Sequence, residues 1–242
     1  MGSARRNLDR KNGPASRGPG PRKTRRTLIT LRVSWDQSLF YLINDVWTTP
    51  VLDWLMPTLS RAGNLGAVWL VLLGVIAIFG KRAGRTIALA GLFALVLGHM
   101  ISDVIKVLTV RPRPFASLPD VRALVTEPSS YAFPSGHAAS AFSAATGAVL
   151  AARRYLTRVP LWGWAMLVLA AAVSYSRVYV GVHYPTDVLA GAALGVACGW
   201  IGARCVAGRK SVRDAGPFEE NGRHSRRGFG GTIHVKKVSR KR

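Results

Sequence analysis

Acidic side chains are scarce in this chain. Only 11 Asp and Glu stand against 34 Lys and Arg, a formal net charge of +23 over 242 residues. No run of carboxylates is dense enough to suggest a Mg²⁺ site, which needs hard oxygen ligands, so neither a metal nor a cofactor is expected. Cysteine is nearly absent. Cys198 and Cys205 share one apolar segment, and seven helical residues put them roughly 10 Å apart, too far for a disulfide. They read as small packing residues and leave the redox compartment open. A cleavable signal peptide is not expected either, because the basic start runs into Pro/Gly-rich sequence rather than a short apolar region with a small-residue cleavage site. There is no internal repeat.

The charge is unevenly placed. Residues 1–34 hold 10 Lys/Arg against Asp9 alone, and residues 207–242 hold 11 against three acids. Both stretches have too few apolar residues to offset chain entropy and are expected to be basic, disordered tails. Such tails suit anionic head groups, at about 1 kcal/mol per basic residue near the surface. Nucleic acid is not an expected partner, since the tails lack interleaved aromatics and any recognisable nucleic-acid module.

Between the tails, 35–206 is apolar. Runs at 66–79, 86–105, 138–152, 160–176 and 188–206 approach the roughly 20 residues that cross a bilayer as a helix. They are rich in the Gly and Ala that let helices pack closely in lipid. The expected fold is all-α, an integral-membrane bundle of about six helices. Segment 38–60, with Asp45, Pro50, Asp53 and Pro57, fits either a broken span or an interfacial amphipathic pair; as a span it is the first of six. The short basic loops 81–85 and 153–158 belong in the cytoplasm by the positive-inside rule. Alternation then puts 106–136 and 177–187 outside, and six spans leave both tails inside. The expected location is the cell membrane, multi-pass, among membrane lipids.

The two outer segments carry nearly all the polar chemistry: Lys106 to Arg113-Pro114, Pro134-Ser135-Gly136-His137, and Ser176-Arg177 through His183 to Asp187. Singly, each has a bland account. A membrane-edge Lys or Arg snorkels to head groups, Ser135 caps a helix, and His183 with Asp187 makes a solvated pair one helical turn apart. Three cations, two histidines, a carboxylate and a Ser-Gly helix start on one membrane face are what a phosphate site requires. Guanidinium groups bind phosphate oxygens bidentately, a helix N-terminus favours an anion, and histidine serves as nucleophile or proton donor.

These residues resemble the type 2 phosphatidic acid phosphatase (PAP2) superfamily, whose signature is K-x6-RP, PSGH and SR-x5-H-x3-D. All three parts are present in order and without substitution. The resemblance implies a metal-independent membrane phosphatase acting on a lipid phosphate or diphosphate, such as undecaprenyl diphosphate, phosphatidylglycerol phosphate or phosphatidic acid. It implies that Lys106, Arg113, Arg177, Ser135 and the Gly136 N–H bind the phosphoryl group. His183 would attack phosphorus, Asp187 would orient His183, and His137 would protonate the leaving oxygen. Vanadium haloperoxidases resemble this superfamily at the anion pocket, but they are large soluble proteins. The remaining alternatives are phosphotransfer from the same site and a non-catalytic membrane adaptor.

Four further groups are read structurally. His99 and Asp103 share a helical face with Lys106 and fit a charge partner for it. Arg111 and Arg122 fit loop shaping or contact with acidic head groups. Tyr179 and Tyr184 fit interfacial aromatics. His224 and His234 are too isolated for a metal site.

Overall fold

The computed structural model describes residues 34–207, and every regular element among them is helical. Almost all of both basic tails falls outside these residues. The first helix, α1 (Trp35–Tyr41), opens on a capping box in which Ser34 and Gln37 satisfy each other's backbone N–H groups. A π-helical turn over Leu42–Val46 continues it. Helix α2 (Pro50–Ala62) starts on Thr49, whose hydroxyl accepts from the Leu52 N–H. A tight turn at Asn64–Gly66 leads into α3 (Ala67–Phe79), and then come α4 (Lys81–Thr109), the short α5 (Pro114–Ser117), α6 (Gly136–Ala152), α7 (Leu161–Tyr179) and α8 (Pro185–Ala207).

Helices α4, α7 and α8 are each long and apolar enough to cross a bilayer. Helix α6 has 17 residues and is buried along nearly its whole length among them. Large apolar side chains such as Phe79, Leu108 and Leu161 stay exposed, as they do where lipid rather than water is the outer solvent.

Segment 38–60 does not behave as a separate first span. Asp36, two residues before it, contacts Arg111 and Thr186, both at the end of the bundle that holds the signature motifs. From that same end α2 descends antiparallel to α7: Asp53 meets Tyr179, Ser60 meets Arg177, and Gly63 lies against Val173. Helix α3 continues downward along α4, from Gly66 beside Leu95 to Gly80 beside Gly84. Helices α2 and α3 thus form a pair bent by 65° where the sequence suggested two separate spans, because Gly63 and Gly66 redirect the chain without reversing it. Among the described residues three helices are long and apolar enough to cross a membrane, or four if this bent pair counts as one span. Ser34 lies near the end that holds the motifs and Ala207 at the far end of α8; the tails themselves fall outside the described residues. The basic turns at 81–85 and 153–158 lie at the end away from the motifs.

The close α6–α8 contact positions the site, since α6 begins with the PSGH turn and α8 with Asp187. Gly191, Gly195 and Gly199 repeat every four residues and so share one face of α8. A Cβ on Gly195 would stand 2.6 Å from the Ala139 carbonyl oxygen, and one on Gly191 2.5 Å from that of Ser135. Gly195→Leu should therefore force the helices apart and destabilise the fold by about 1–3 kcal/mol. A thermal melt in detergent checks this, and an unchanged midpoint would mean that the contact is not tight.

Candidate active site

Six chain segments meet at one end of the bundle around a cavity of about 610 Å³. The end of α4 brings Lys106, and the loop after it brings Arg113. The start of α6 brings Gly136 and His137, and the end of α7 brings Arg177. The turn at 180–184 brings His183, and the α2–α3 corner brings Ser60, Gly63 and Asn64. Lys106, Arg113, Arg177 and His183 are all buried. Burying three cations and an imidazole together costs hydration that only paired charges offset, and an anion in the cavity would supply such a partner.

The geometry around His183 fixes its tautomer. Arg113 Nη1 lies 3.1 Å from His183 Nε2. A guanidinium only donates, so Nε2 accepts and the ring proton of the neutral imidazole sits on Nδ1. That nitrogen faces Asp187 Oδ2 at 3.5 Å. The separation is too long for a formed hydrogen bond, and Nδ1 has no other partner among the described residues; such contacts often tighten only when substrate binds. Burial, followed by the charges of Arg113 and Arg177, pushes the His183 pKa well below its ordinary value, keeping the ring neutral with its Nε2 lone pair towards Arg113.

The cations are held from behind. Arg113 donates to the Ser130 and Val182 carbonyl oxygens at 2.6 and 2.8 Å. Arg177 donates to the Ser60 hydroxyl, and its buried Nε has no partner. Lys106 pairs with Asp103 at 2.7 Å, and His99 stands beside that carboxylate, as the shared helical face suggested. Gly136 lines the cavity, and a Cβ there would come within 3.0 Å of Lys106 Nζ. Ser135 sits differently from the other expected ligands. Its hydroxyl is turned to the Ala138 N–H as the α6 cap, and its own N–H donates to the Asp187 carbonyl oxygen at 2.9 Å. Its place is under the first turn of α6, tying α6 to α8.

Sequence reasoning missed the α2–α3 corner. Asn64 Oδ1 lies 3.0 Å from His137 Nε2, and Gly63 lets the His137 ring approach so closely that a Cβ would meet it at 2.9 Å. Neither residue belongs to a recognisable spacing, so no sequence signal marked them. Tyr179 and Tyr184, expected at the interface, are instead buried. They spend their hydroxyls inside the protein, on Asp53 and Ser117 respectively. Arg122 does shape the loop, bridging the Asn44 carbonyl oxygen and Asp53. Arg111 reaches further, to Asp187 itself. Among the described residues no group of His, Cys, Asp and Glu is arranged to hold a metal ion.

Comparison with known proteins places the chain among membrane phosphatases. The undecaprenyl-diphosphatase of Sulfolobus acidocaldarius is 35% identical over 191 residues, covering 78% of this chain and 83% of the relative. The decaprenylphosphoryl-5-phosphoribose phosphatase of Mycobacterium tuberculosis is 38% identical over 157 residues, 64% of this chain and 81% of the relative. Among solved structures, Aquifex aeolicus LpxE superposes with a TM-score of 0.53 at 32% identity, covering 68% of this chain and 92% of that one. The first transmembrane PAP2-type phosphatidylglycerolphosphate phosphatase from Bacillus subtilis gives 0.54 at 25% identity, with 72% and 87% coverage. The PAP2 superfamily model matches residues 86–211, which include every signature residue. With its buried cations gathered around a neutral histidine, this chain belongs to the PAP2 superfamily and is a membrane lipid phosphatase.

Proposed function

We propose that this phosphatase hydrolyses a polyprenyl-linked phosphate or diphosphate through a phosphohistidine on His183, without a metal ion, at the extracytoplasmic face of the cell membrane. The observation that carries the mechanism is His183 itself: buried and neutral, with Nε2 turned to Arg113 and Nδ1 to a carboxylate. The names of the Sulfolobus and Mycobacterium relatives, both of polyprenyl substrates, favour that lipid class over glycerolipids.

In this scheme the phosphoryl oxygens lie among Lys106, Arg113, Arg177 and the Gly136 N–H. His183 Nε2 forms a bond to phosphorus as the bond from phosphorus to the leaving oxygen breaks. His137, protonated once the phosphoryl anion offsets the neighbouring cations, gives its proton to that oxygen. Asp187 takes up the Nδ1–H hydrogen bond and stabilises the cationic ring, as the carboxylate of a catalytic triad does. Water then attacks phosphorus, His137 accepts its proton, the P–N bond breaks, and phosphate leaves. Charge developing on the phosphoryl oxygens meets cations already in place.

A panel of lipid phosphates and diphosphates, assayed on purified protein in excess EDTA, tests substrate class and metal independence together. Polyprenyl substrates should be hydrolysed fastest, with no loss to the chelator. Activity that disappears in EDTA and returns with Mg²⁺ would refute the metal-free route, and a preference for phosphatidic acid would refute the polyprenyl assignment.

The basic turns at 81–85 and 153–158 lie opposite the cavity, and the positive-inside rule favours the cytoplasm for them. A cysteine placed in the 116–126 loop should accordingly react with a membrane-impermeant thiol reagent in intact cells, and one at 153–158 should not. The reverse pattern would put the site inside.

A further inference from the structure

We propose that Arg111 and Asp36 are positioning residues for the nucleophile, acting through Asp187. This rests on the assignment of His183 as nucleophile and extends it to two residues outside the three signature motifs. Asp36 also lies outside the stretch that the family model matches.

The contacts form a continuous relay. Arg111 Nη1 donates to Asp187 Oδ1 at 2.6 Å and to the Thr186 hydroxyl at 2.7 Å. Its Nη2 donates to Asp36 Oδ2 at 2.7 Å. Asp36 in turn accepts from the Thr186 N–H at 2.9 Å and from the Thr186 hydroxyl at 2.6 Å. The Arg111 guanidinium lies over the Tyr184 ring, 4.2 Å from its centroid. The second Asp187 oxygen accepts from the Tyr184 N–H at 2.9 Å and faces His183 Nδ1. One carboxylate oxygen is thus held by Arg111, and the other is left for the nucleophile's ring.

Asp187 is fully buried and Asp36 nearly so. Buried carboxylates so close together repel one another and demand a shared cation. Arg111 supplies it, with a planar fork that reaches both at once, a geometry a lysine cannot reproduce. Without Arg111 the Asp187 carboxylate would lose its counter-charge and its fixed rotation. His183 would then lose the acceptor that stabilises its charged form in the transition state. Arg111 does not line the cavity, so its effect should fall on the chemical step rather than on substrate binding. The competing account is a purely structural clamp that ties α1 to the bundle.

A double-mutant cycle on full-length protein separates the two. Phosphorylation of His183 is first trapped in wild type by rapid quench, and its rate is then measured in Arg111→Met, Asp187→Asn and the double variant. Arg111→Met should slow phosphorylation and kcat by on the order of 10²-fold with KM within a few-fold. The same substitution should cost no more than a few-fold in the Asp187→Asn background, because the path to His183 is already cut. Arg111→Lys should recover part of the loss. Asp36→Asn, which keeps size and packing, should show the same coupling to Asp187 with a smaller loss, and it stands in if Arg111→Met does not fold. A full loss repeated in the Asp187→Asn background, an effect confined to KM, or an undiminished rate in the single variants would overturn the proposal. Failure of wild type to phosphorylate His183 would instead remove the nucleophile assignment, and this proposal with it.

Discussion

Replacing His183 by alanine should abolish turnover, with a loss on the order of 10⁶-fold, the scale seen when a nucleophile is removed from a catalytic unit. The cations and His137 remain in that variant, so phosphate-analogue binding should survive while no covalent intermediate forms. The pH profile of the intact enzyme carries the same information. The neutral ring is the reactive form, and burial together with Arg113, Arg177, His137 and Lys106 lowers the His183 pKa well below 6.5. Falling pH should therefore not protonate the nucleophile at the ordinary imidazole value. After allowance for the substrate's own phosphate ionisation, the acid limb of kcat/KM, which reports the free enzyme, should lie well under pH 6.5. A limb at 6.5 belonging to His183 would mean that the ring is solvated, contrary to its burial.

The second large effect separates the two histidines. His137→Ala should slow hydrolysis of a substrate with an alkoxide leaving group by about 10²–10⁴-fold, the usual contribution of a general acid. A substrate whose leaving group needs no proton, such as a nitrophenyl phosphate, should still phosphorylate His183 in this variant at close to the wild-type rate. His183→Ala should show no such rescue. The structure supplies the reason for this asymmetry. His183 Nε2 faces Arg113, the proposed phosphate ligand, and has a carboxylate behind its other nitrogen. His137 faces Asn64 at the α2–α3 corner and has no carboxylate hydrogen-bonded to its ring. Equal rescue of both variants would erase the distinction between acid and nucleophile.

The site was legible in the sequence to the extent that its chemistry is linear. Lys106, Arg113, His137, Arg177, His183 and Asp187 stand at motif spacings, and helix ends deliver those spacings to one place. Ser135 was legible in two ways, and its hydroxyl takes the capping one. The groups that support these residues were not legible. Asp36, Ser60 and Asn64 are isolated polar residues on either side of the α2 break, brought to the site by a chain path that periodicity does not encode. Arg111 sits two residues before Arg113, near enough to be read as loop chemistry; only the fold reveals that it points at Asp187. The path of the chain over 38–79 was not legible for a related reason. Hydropathy marks 38–60 and 66–79 as separate runs. Whether the chain reverses between them depends on the turn at Gly63–Gly66 and on the descent of α2 along α7, neither of which leaves a hydrophobic signature.

The account stands or falls on one covalent bond. Enzyme mixed with radiolabelled lipid phosphate and quenched within a turnover should carry label that is stable to base and labile to acid, located on the peptide that contains His183. That label should be absent from His183→Ala and retained in His137→Ala given a good leaving group. Label on His137, or rapid turnover with no trapped phosphoenzyme at any quench time, would contradict the phosphohistidine mechanism.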